Sequence, residues 1–171
     1  LSVQFGKRIL FDEVNATFTQ GNCYGIIGAN GAGKSTFLKI IAGDFDPTSG
    51  HVILESGKRM SVLNQNHNMF DEYTVLETVL MGNKILFAVK KEMDDLYADY
   101  KDENADRIGE LQIQFDEMNG WNADSDAASL LSSLGITEDN HYSLMGDLEG
   151  KLKVRVLLAQ ALFGDPDVLL L

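Results

Sequence analysis

The chain has 171 residues, of which 44% are hydrophobic and 23% are charged, as in an ordinary globular domain. It has no apolar run of the roughly 18 residues that cross a membrane, and its single cysteine, Cys23, excludes an internal disulfide. Most of the net charge of −12 comes from residues 92–126, which include twelve acidic and two basic residues, so charge alone disfavours broad nucleic-acid binding. We expect a cytoplasmic protein, and the length suits either one sizeable core or one domain that carries an insertion.

The N-terminal residues predict a small antiparallel β-region that leads into a buried strand. Residues 1–5 and 9–18 alternate apolar and polar side chains, as half-buried strands do, and residues 6–8 provide a turn between them. Residues 23–27 form a short apolar run, which is typical of a buried parallel strand, and we expect Cys23 to pack within it.

Residues 28–36 read Gly-Ala-Asn-Gly-Ala-Gly-Lys-Ser-Thr and fit the phosphate-binding P-loop pattern G-x-x-x-x-G-K-[ST]. Glycines let the backbone turn several N–H groups towards one anion, and a helix that begins near Lys34 and ends at Gly43 adds the positive end of its dipole. Lys34 would then reach the β- and γ-phosphates of a nucleotide, and the Ser35 hydroxyl would bind Mg²⁺. A glycine-rich turn that binds nothing is the alternative. The predicted nucleotide-binding residues of this loop are Gly28, Ala29, Asn30, Gly31, Ala32, Gly33, Lys34, Ser35 and Thr36.

Two further strands and a helix with a defined start follow the loop. Residues 51–55 and 59–64 are predicted strands. Gln65 comes at the end of the second strand, where its side chain can leave the sheet edge and point into a site. Thr74, with Glu77 three residues later, forms the capping-box pattern of a helix start.

The middle of the chain predicts an antiparallel helical hairpin. Apolar residues recur at helical spacing over residues 85–100 and 108–118, and a polar tip separates the two segments. The acidic residues of this hairpin form either a solvated face or a docking arm. Further helices are expected over residues 124–134, with Gly135 as the C-cap, and over residues 151–163, and a buried strand is expected over residues 167–171.

This order of parts resembles the ATP-binding cassette (ABC) family over nearly the whole chain. The parts are a P-loop, a glutamine at a sheet edge, a helical insertion, a glycine-containing loop that opens a helix, and a buried strand. Residues 70–79, FDEYTVLETV, after Asn64-Gln65, and residues 153–162, KVRVLLAQAL, resemble the ABC-F subfamily. Members of that subfamily carry paired ATPase cassettes, lack membrane domains and act at the ribosome in the cytoplasm.

The resemblance implies an α/β fold. It has a P-loop NTPase core of the ABC type, an antiparallel β subdomain and an inserted α-helical subdomain. The nucleotide-binding core would be residues 1–73, and the helical subdomain residues 74–146, with an arm-like hairpin at about 83–122. Residues 147–171 would hold the signature-loop helix and the start of the Walker B strand.

The resemblance also implies roles for single residues. Phe5 matches the aromatic residue that stacks on adenine, although a core aromatic at a strand end is the alternative. Gln65 matches the Q-loop glutamine, which helps to hold Mg²⁺, senses the γ-phosphate and acts in catalysis together with Lys34; an ordinary strand-end glutamine is the alternative. The implied partners are ATP with Mg²⁺, a second cassette, and the ribosome, where the hairpin would reach ribosomal RNA, tRNA or a ribosomal protein.

Two departures from the family pattern affect hydrolysis. The family's signature loop, L-S-G-G-x, reads Leu148-Glu149-Gly150-Lys151-Leu152 here, so Glu149 replaces a serine that meets the γ-phosphate on the partner cassette. A carboxylate there repels the phosphate, so either the composite site is impaired or Lys151 substitutes electrostatically. The chain also ends before the family's Asp-Glu pair. We therefore expect a fragment that binds ATP weakly and hydrolyses almost none, and a full-length protein that is an ATPase.

Three functions remain open on these residues. The leading one is an ATP-driven translation factor of the ABC-F type. The second is the ATPase subunit of an ABC transporter, which would share the nucleotide-binding residues but normally lacks so long a hairpin. The third is a cassette that binds ATP only as a structural ligand, which Glu149 in the signature loop favours.

Overall fold

The computed structural model describes residues 1–64 and 66–171, and the predicted Q-loop residue Gln65 lies outside the described residues. Contacts within the chain group it into two units, one formed by Leu1–Val62 with Asp167–Leu171 and the other by Leu63–Pro166. Among the described residues, no helix has the length and apolar character needed to cross a bilayer. The three-part division expected from the sequence stays a prediction.

The first unit begins with a β-hairpin. Strand β1, Val3–Phe5, pairs antiparallel with β2, Arg8–Phe11, and Phe5 lies opposite Arg8 across a tight turn. Both strands are shorter than predicted, and Arg8 lies in a strand rather than in the predicted turn. Strand β2 ends at Phe11 because Glu13, two residues later, has a left-handed backbone (φ 51°), which is incompatible with an extended strand.

Helix α1, Lys34–Ala42, follows the predicted P-loop and ends as the sequence predicts. Gly43 adopts φ 82°, and its N–H donates to carbonyls of the last helical turn. A left-handed residue directly after a helix favours glycine, because glycine has no Cβ to clash. The Phe37 ring meets the Phe11 ring of β2 edge-on, with 5.8 Å between their centroids, so α1 packs against the hairpin.

Strands β3, Met60–Val62, and β4, Val168–Leu170, pair in parallel in the same unit. Just before β4, the Asp167 carboxylate accepts hydrogen bonds from the Arg59 backbone N–H and the Lys58 ammonium, both at 2.9 Å. These donors, the Arg59 N–H first, hold the pKa of Asp167 below its ordinary value. The same carboxylate raises the pKa of Lys58. Both strands lie within predicted segments, but their pairing joins residues that are far apart in the sequence.

Two predicted strands do not form. Within the described part of the chain, residues 23–27 and 51–55 belong to no strand. Their side chains are exposed, to 96% for Ile27 and 79% for Ile53, and Cys23 is exposed rather than packed. An apolar run has strand propensity, but a parallel ladder also needs neighbours from distant parts of the chain, which local sequence does not specify. The prediction of a buried strand directly before the P-loop is therefore wrong.

The second unit is helical and begins with α2, Val75–Leu80, whose predicted capping box is confirmed. The Glu77 N–H donates to the Thr74 hydroxyl at 3.2 Å, and the Thr74 N–H donates to the Glu77 carboxylate at 2.9 Å. The box satisfies N–H groups that a helix start otherwise leaves without partners. The helix is almost entirely buried.

Helices α3, Lys84–Ala98, and α4, Ala105–Glu117, form the predicted hairpin. The connection between them is short, so the two helices run antiparallel. The Arg107 guanidinium donates to both carboxylate oxygens of Glu92, at 2.7 and 2.9 Å, and so joins the two helices. This contact lowers the pKa of Glu92.

Helices α5, Ala123–Ser133, and α6, Gly150–Leu162, complete the unit. Lys153 of α6 is only 7% exposed, and its ammonium donates to the Asp71 carboxylate at 2.6 Å. Apolar side chains from α2 to α6 meet in one core. Its largest fully buried side chains are Leu80, Leu111, Leu131, Ile136, Met145 and Leu157.

Candidate nucleotide-binding site

The predicted P-loop takes its shape from two glycines with left-handed backbones. Gly31 has φ 79° and Gly33 has φ 95°, and the Ala32 N–H donates to the Ala29 carbonyl at 3.2 Å, which closes a turn over residues 29–32. A Cβ on Gly33 would lie 2.8 Å from side-chain atoms of Leu10. Both the φ value and this close approach require glycine at position 33. The loop therefore lies directly against β2.

Lys34 is the first residue of α1 and folds back over the loop. Its ammonium donates to the carbonyls of Gly28 at 2.7 Å and Ala29 at 2.9 Å. The first turn of α1 contains no acidic residue, and no side chain in the described part of the chain caps it. The positive end of the helix dipole and the Lys34 ammonium therefore act in the same place, which is the electrostatic requirement for holding an anion.

A cleft of about 580 Å³ lies between this loop and the β-hairpin, within the first unit. Its lining residues are Phe5, Arg8, Leu10, Asn30, Gly31, Gly33, Lys34, Ser35 and Thr36. Seven of these were predicted as nucleotide-binding residues. Of the other predicted loop residues, Gly28 and Ala29 accept the hydrogen bonds of Lys34, and Ala32 forms the turn.

Phe5 stands at one side of this cleft, at the end of β1. Phe5 is 49% exposed as a residue, and its ring lies 5.7 Å from the Phe45 ring, centroid to centroid. An aromatic ring with half of its surface open can offer a face to a flat ligand, whereas a core aromatic would be covered. Phe5 is therefore not a covered core aromatic, and its stacking role stays a prediction.

Two lining residues were not predicted, Arg8 and Leu10. Both belong to β2, and the side of the hairpin that they share is shown by the cleft itself, because the register shift next to Leu10 interrupts the regular alternation of faces. From the sequence, Arg8 is expected in the turn of residues 6–8 and Leu10 in the strand that begins at Ile9, and neither carries a signal that identifies a site residue.

Ser35 is exposed at the cleft beside Lys34, so its hydroxyl oxygen is accessible to a small ligand. Oxygen is the ligand atom that Mg²⁺ prefers, and Mg²⁺ commonly takes few protein ligands together with nucleotide phosphate oxygens. No cluster of three or more His, Cys, Asp or Glu side chains occurs among the residues described. The Ser35 hydroxyl therefore fits a magnesium ion that also binds nucleotide phosphate oxygens.

The predicted signature loop lies in the helical unit, at the start of α6. Glu149 precedes the helix in an extended conformation, and its carbonyl accepts from the N–H groups of Leu152 and Lys153. Glu149 and Lys151 are both exposed. Their side chains can therefore reach a ligand on another molecule or cassette, and both interpretations of the loop remain open.

Known proteins resemble this chain along nearly its whole length. A family profile described as ABC transporter matches residues 11–171. The uncharacterized ABC transporter ATP-binding protein YkpA of Bacillus subtilis is 55% identical over 173 residues. The probable ATP-binding protein YbiT of Escherichia coli O157:H7 is 46% identical over 173 residues. EttA of Mycobacterium tuberculosis, described as an energy-dependent translational throttle protein, is 32% identical over 170 residues.

These alignments cover 97–100% of this chain but only 30–33% of the three relatives. The chain thus spans about a third of the length of the curated relatives it matches.

Proposed function

This chain belongs to the ATP-binding cassette family and resembles its ABC-F-type ATP-binding proteins, and on that premise we propose that it binds ATP with Mg²⁺ in the cleft between the P-loop and the β-hairpin. The domain is an ABC-type P-loop NTPase domain with several helices and small sheets. The single observation that carries the proposal is the geometry of the loop. Two left-handed glycines, the start of α1 and the Lys34 ammonium all converge on one place.

Each part of the cleft has a role in this proposal. The adenine ring stacks on Phe5, and the phosphates lie against the backbone N–H groups of residues 28–36. Lys34 exchanges its two carbonyl partners for β- and γ-phosphate oxygens, which as charged acceptors form stronger hydrogen bonds. Ser35, with Gln65 as predicted from the family, holds Mg²⁺, which neutralises charge on the phosphate oxygens when bound. Gln65 senses the γ-phosphate.

We propose that the full-length protein is an ATPase that acts on the ribosome in the cytoplasm. The relative named energy-dependent translational throttle protein supports this direction. The helical hairpin α3–α4 supports it as well, because it provides a long element that can reach a partner. In the proposal, ATP-dependent closure on a second cassette sets the position of the hairpin. The acidic charge of residues 92–126 suits a basic ribosomal protein better than RNA phosphates.

The alternative is the ATPase subunit of an ABC transporter, which the names of YkpA and of the family profile favour. That function uses the same nucleotide cleft and differs in the partner. Co-purification of a membrane permease with the full-length protein would support the transporter, and its absence together with ribosome binding would support the translation factor.

Two measurements on the full-length protein test the proposal. ATP turnover should fall when Lys34 is replaced by Ala; equal turnover in both forms would instead support a cassette that does not hydrolyse ATP at this site. Ribosome co-sedimentation should depend on nucleotide and be strongest with a non-hydrolysable ATP analogue. No sedimentation under any nucleotide condition would contradict the ribosomal role.

The hairpin tip gives a sharper version of the second measurement. Asp102 and Glu103 are exposed at the connection between α3 and α4. Replacing them with Asn and Gln should weaken co-sedimentation and leave the intrinsic ATP turnover unchanged. If both properties are unchanged, the acidic tip is only a solvated face.

A further inference from the structure

We propose that Arg8 is a second cation of the nucleotide site, which contacts the α-phosphate end of the bound nucleotide. This inference rests on the proposed function and extends it to a residue outside the P-loop. Arg8 is exposed and lines the same cleft as Lys34 and Ser35. Within the described part of the chain it forms no ion pair, so its guanidinium charge is not neutralised by a carboxylate.

The position of Arg8 follows from the hairpin register. Arg8 lies opposite Phe5 in the β1–β2 pair, so it stands beside the ring that would hold the base. Two residues further along β2, beside a register shift of the hairpin, Leu10 approaches Gly33 of the P-loop, and both Arg8 and Leu10 line the cleft. Two residues of a strand span up to about 7 Å. The cleft therefore extends from Phe5 and Arg8 at one end to the loop at the other.

A nucleotide with its base at Phe5 and its terminal phosphates at the loop would present its ribose and α-phosphate nearest to Arg8. Lys34 is placed at the other end, for the β- and γ-phosphates. A guanidinium can donate two parallel hydrogen bonds to phosphate oxygens, which a lysine ammonium cannot reproduce. The two cations would thus hold different parts of the same triphosphate. Because Arg8 is exposed, solvent and salt reduce the strength of its contact.

The test uses the full-length protein, calorimetric titration and three ligands: Mg·ATP, Mg·ADP and adenosine. Binding of Mg·ATP or Mg·ADP that is weakened in the Lys34→Ala variant defines this site and separates it from any other nucleotide site. Lys7→Ala is the matched control, because Lys7 neighbours Arg8, carries the same charge and does not line the cleft. Arg8→Ala should lower the affinity for Mg·ATP and for Mg·ADP about 5-fold at low salt. Adenosine binding should not change, and Arg8→Lys should give an intermediate affinity.

The outcomes separate the two proposals. If the parent protein shows no Lys34-dependent ATP binding, the proposed function fails and the role of Arg8 fails with it. If that binding is present but Arg8→Ala behaves like Lys7→Ala, only the role of Arg8 is overturned. An equal loss of adenosine and ATP affinity would overturn the phosphate contact, since it would assign Arg8 to the base or the ribose. A 5-fold loss that shrinks as salt is raised would support the proposal.

Discussion

Of the hydrophobic side chains that are buried in the described chain, all but Val3 and Ile40 lie in the helical unit, Leu63–Pro166. That unit is held by side-chain packing around one core. The first unit is held mainly by its two strand pairs and by the Asp167 contacts, and its P-loop is shaped by glycines with left-handed backbones. The shape of the P-loop therefore depends on backbone conformation and hydrogen bonds, whereas the stability of the helical hairpin α3–α4 depends on a packed core.

The largest expected effect is in the core of the helical unit. Leu111 of α4 has 0% exposure, so Leu111→Ala should lower the free energy of unfolding by about 2–5 kcal/mol through lost burial and a cavity. Trp121, the single tryptophan, lies in this unit against Phe115 and can report urea unfolding by its fluorescence.

The control for this prediction is on the same helix. Ile113 is 63% exposed, so Ile113→Ala should change stability by less than about 0.5 kcal/mol. Equal effects of the two substitutions would mean that packing does not distinguish the faces of α4.

The second prediction concerns the loop. Gly33→Ala should weaken ATP binding by about 10-fold or more, because alanine is strained at φ 95° and its Cβ would collide with Leu10. Calorimetric titration of Mg·ATP measures the affinity. Gly25→Ala is the control, since Gly25 has no positive φ and an alanine methyl group there would have no atom within 4 Å. Similar affinities for the two variants would show that the loop backbone does not shape the site.

A smaller effect on stability is expected at Lys153, whose charged side chain is buried in the helical unit. Asp71→Asn should lower the free energy of unfolding by about 1–2 kcal/mol, because it leaves the Lys153 ammonium without its carboxylate while Asn68 stays nearby. Urea unfolding monitored at Trp121 measures the change. Asp99→Asn is the matched control: its ion pair with Lys101 is exposed, so less than about 0.5 kcal/mol should be lost. A larger loss of stability in Asp99→Asn than in Asp71→Asn would contradict the assignment of Lys153 and Asp71 as the stronger ion pair.

The smallest expected effect is a pH dependence of the β3–β4 pair. The pKa of Asp167 is lower in the folded chain than its ordinary value of 3.8, so its carboxylate stabilises the pair above about pH 4. That stabilisation is lost as the pH falls through the lowered pKa. Hydrogen exchange of residues 58–62 should be slower in the parent chain than in Asp167→Asn at pH 6, and the difference should shrink in acid. A difference in exchange rate that grows as the pH falls would contradict the stabilising role of the ionised Asp167.

Local signals in the sequence predict the helices and their ends well. The capping box of Thr74 and Glu77, the turn at Gly43 and the hairpin α3–α4 each depend on residues close together in the chain, and each forms as expected. The strands are predicted less well. Residues 23–27 have strand composition without a strand partner, because pairing is decided by distant segments.

The same limit applies to contacts between distant residues. The bond from the Arg59 N–H to Asp167 spans 108 residues, and the Lys153–Asp71 pair spans 82. Neither residue type nor spacing indicates such partners. In the site, the loop is visible as a motif, but the presence of Arg8 in the cleft follows only from the register of the hairpin.

The most direct test of nucleotide binding at the P-loop is calorimetric titration of Mg·ATP into the full-length protein, its Lys34→Ala variant and a Lys39→Ala variant. Both lysines lie on α1, but Lys39 is exposed in its last turn and does not line the cleft. We predict that Lys34→Ala loses at least about 10-fold in affinity, as expected when a charged phosphate contact is removed, and that Lys39→Ala matches the parent. Equal affinity in all three forms would contradict the assignment of the loop as the ATP site.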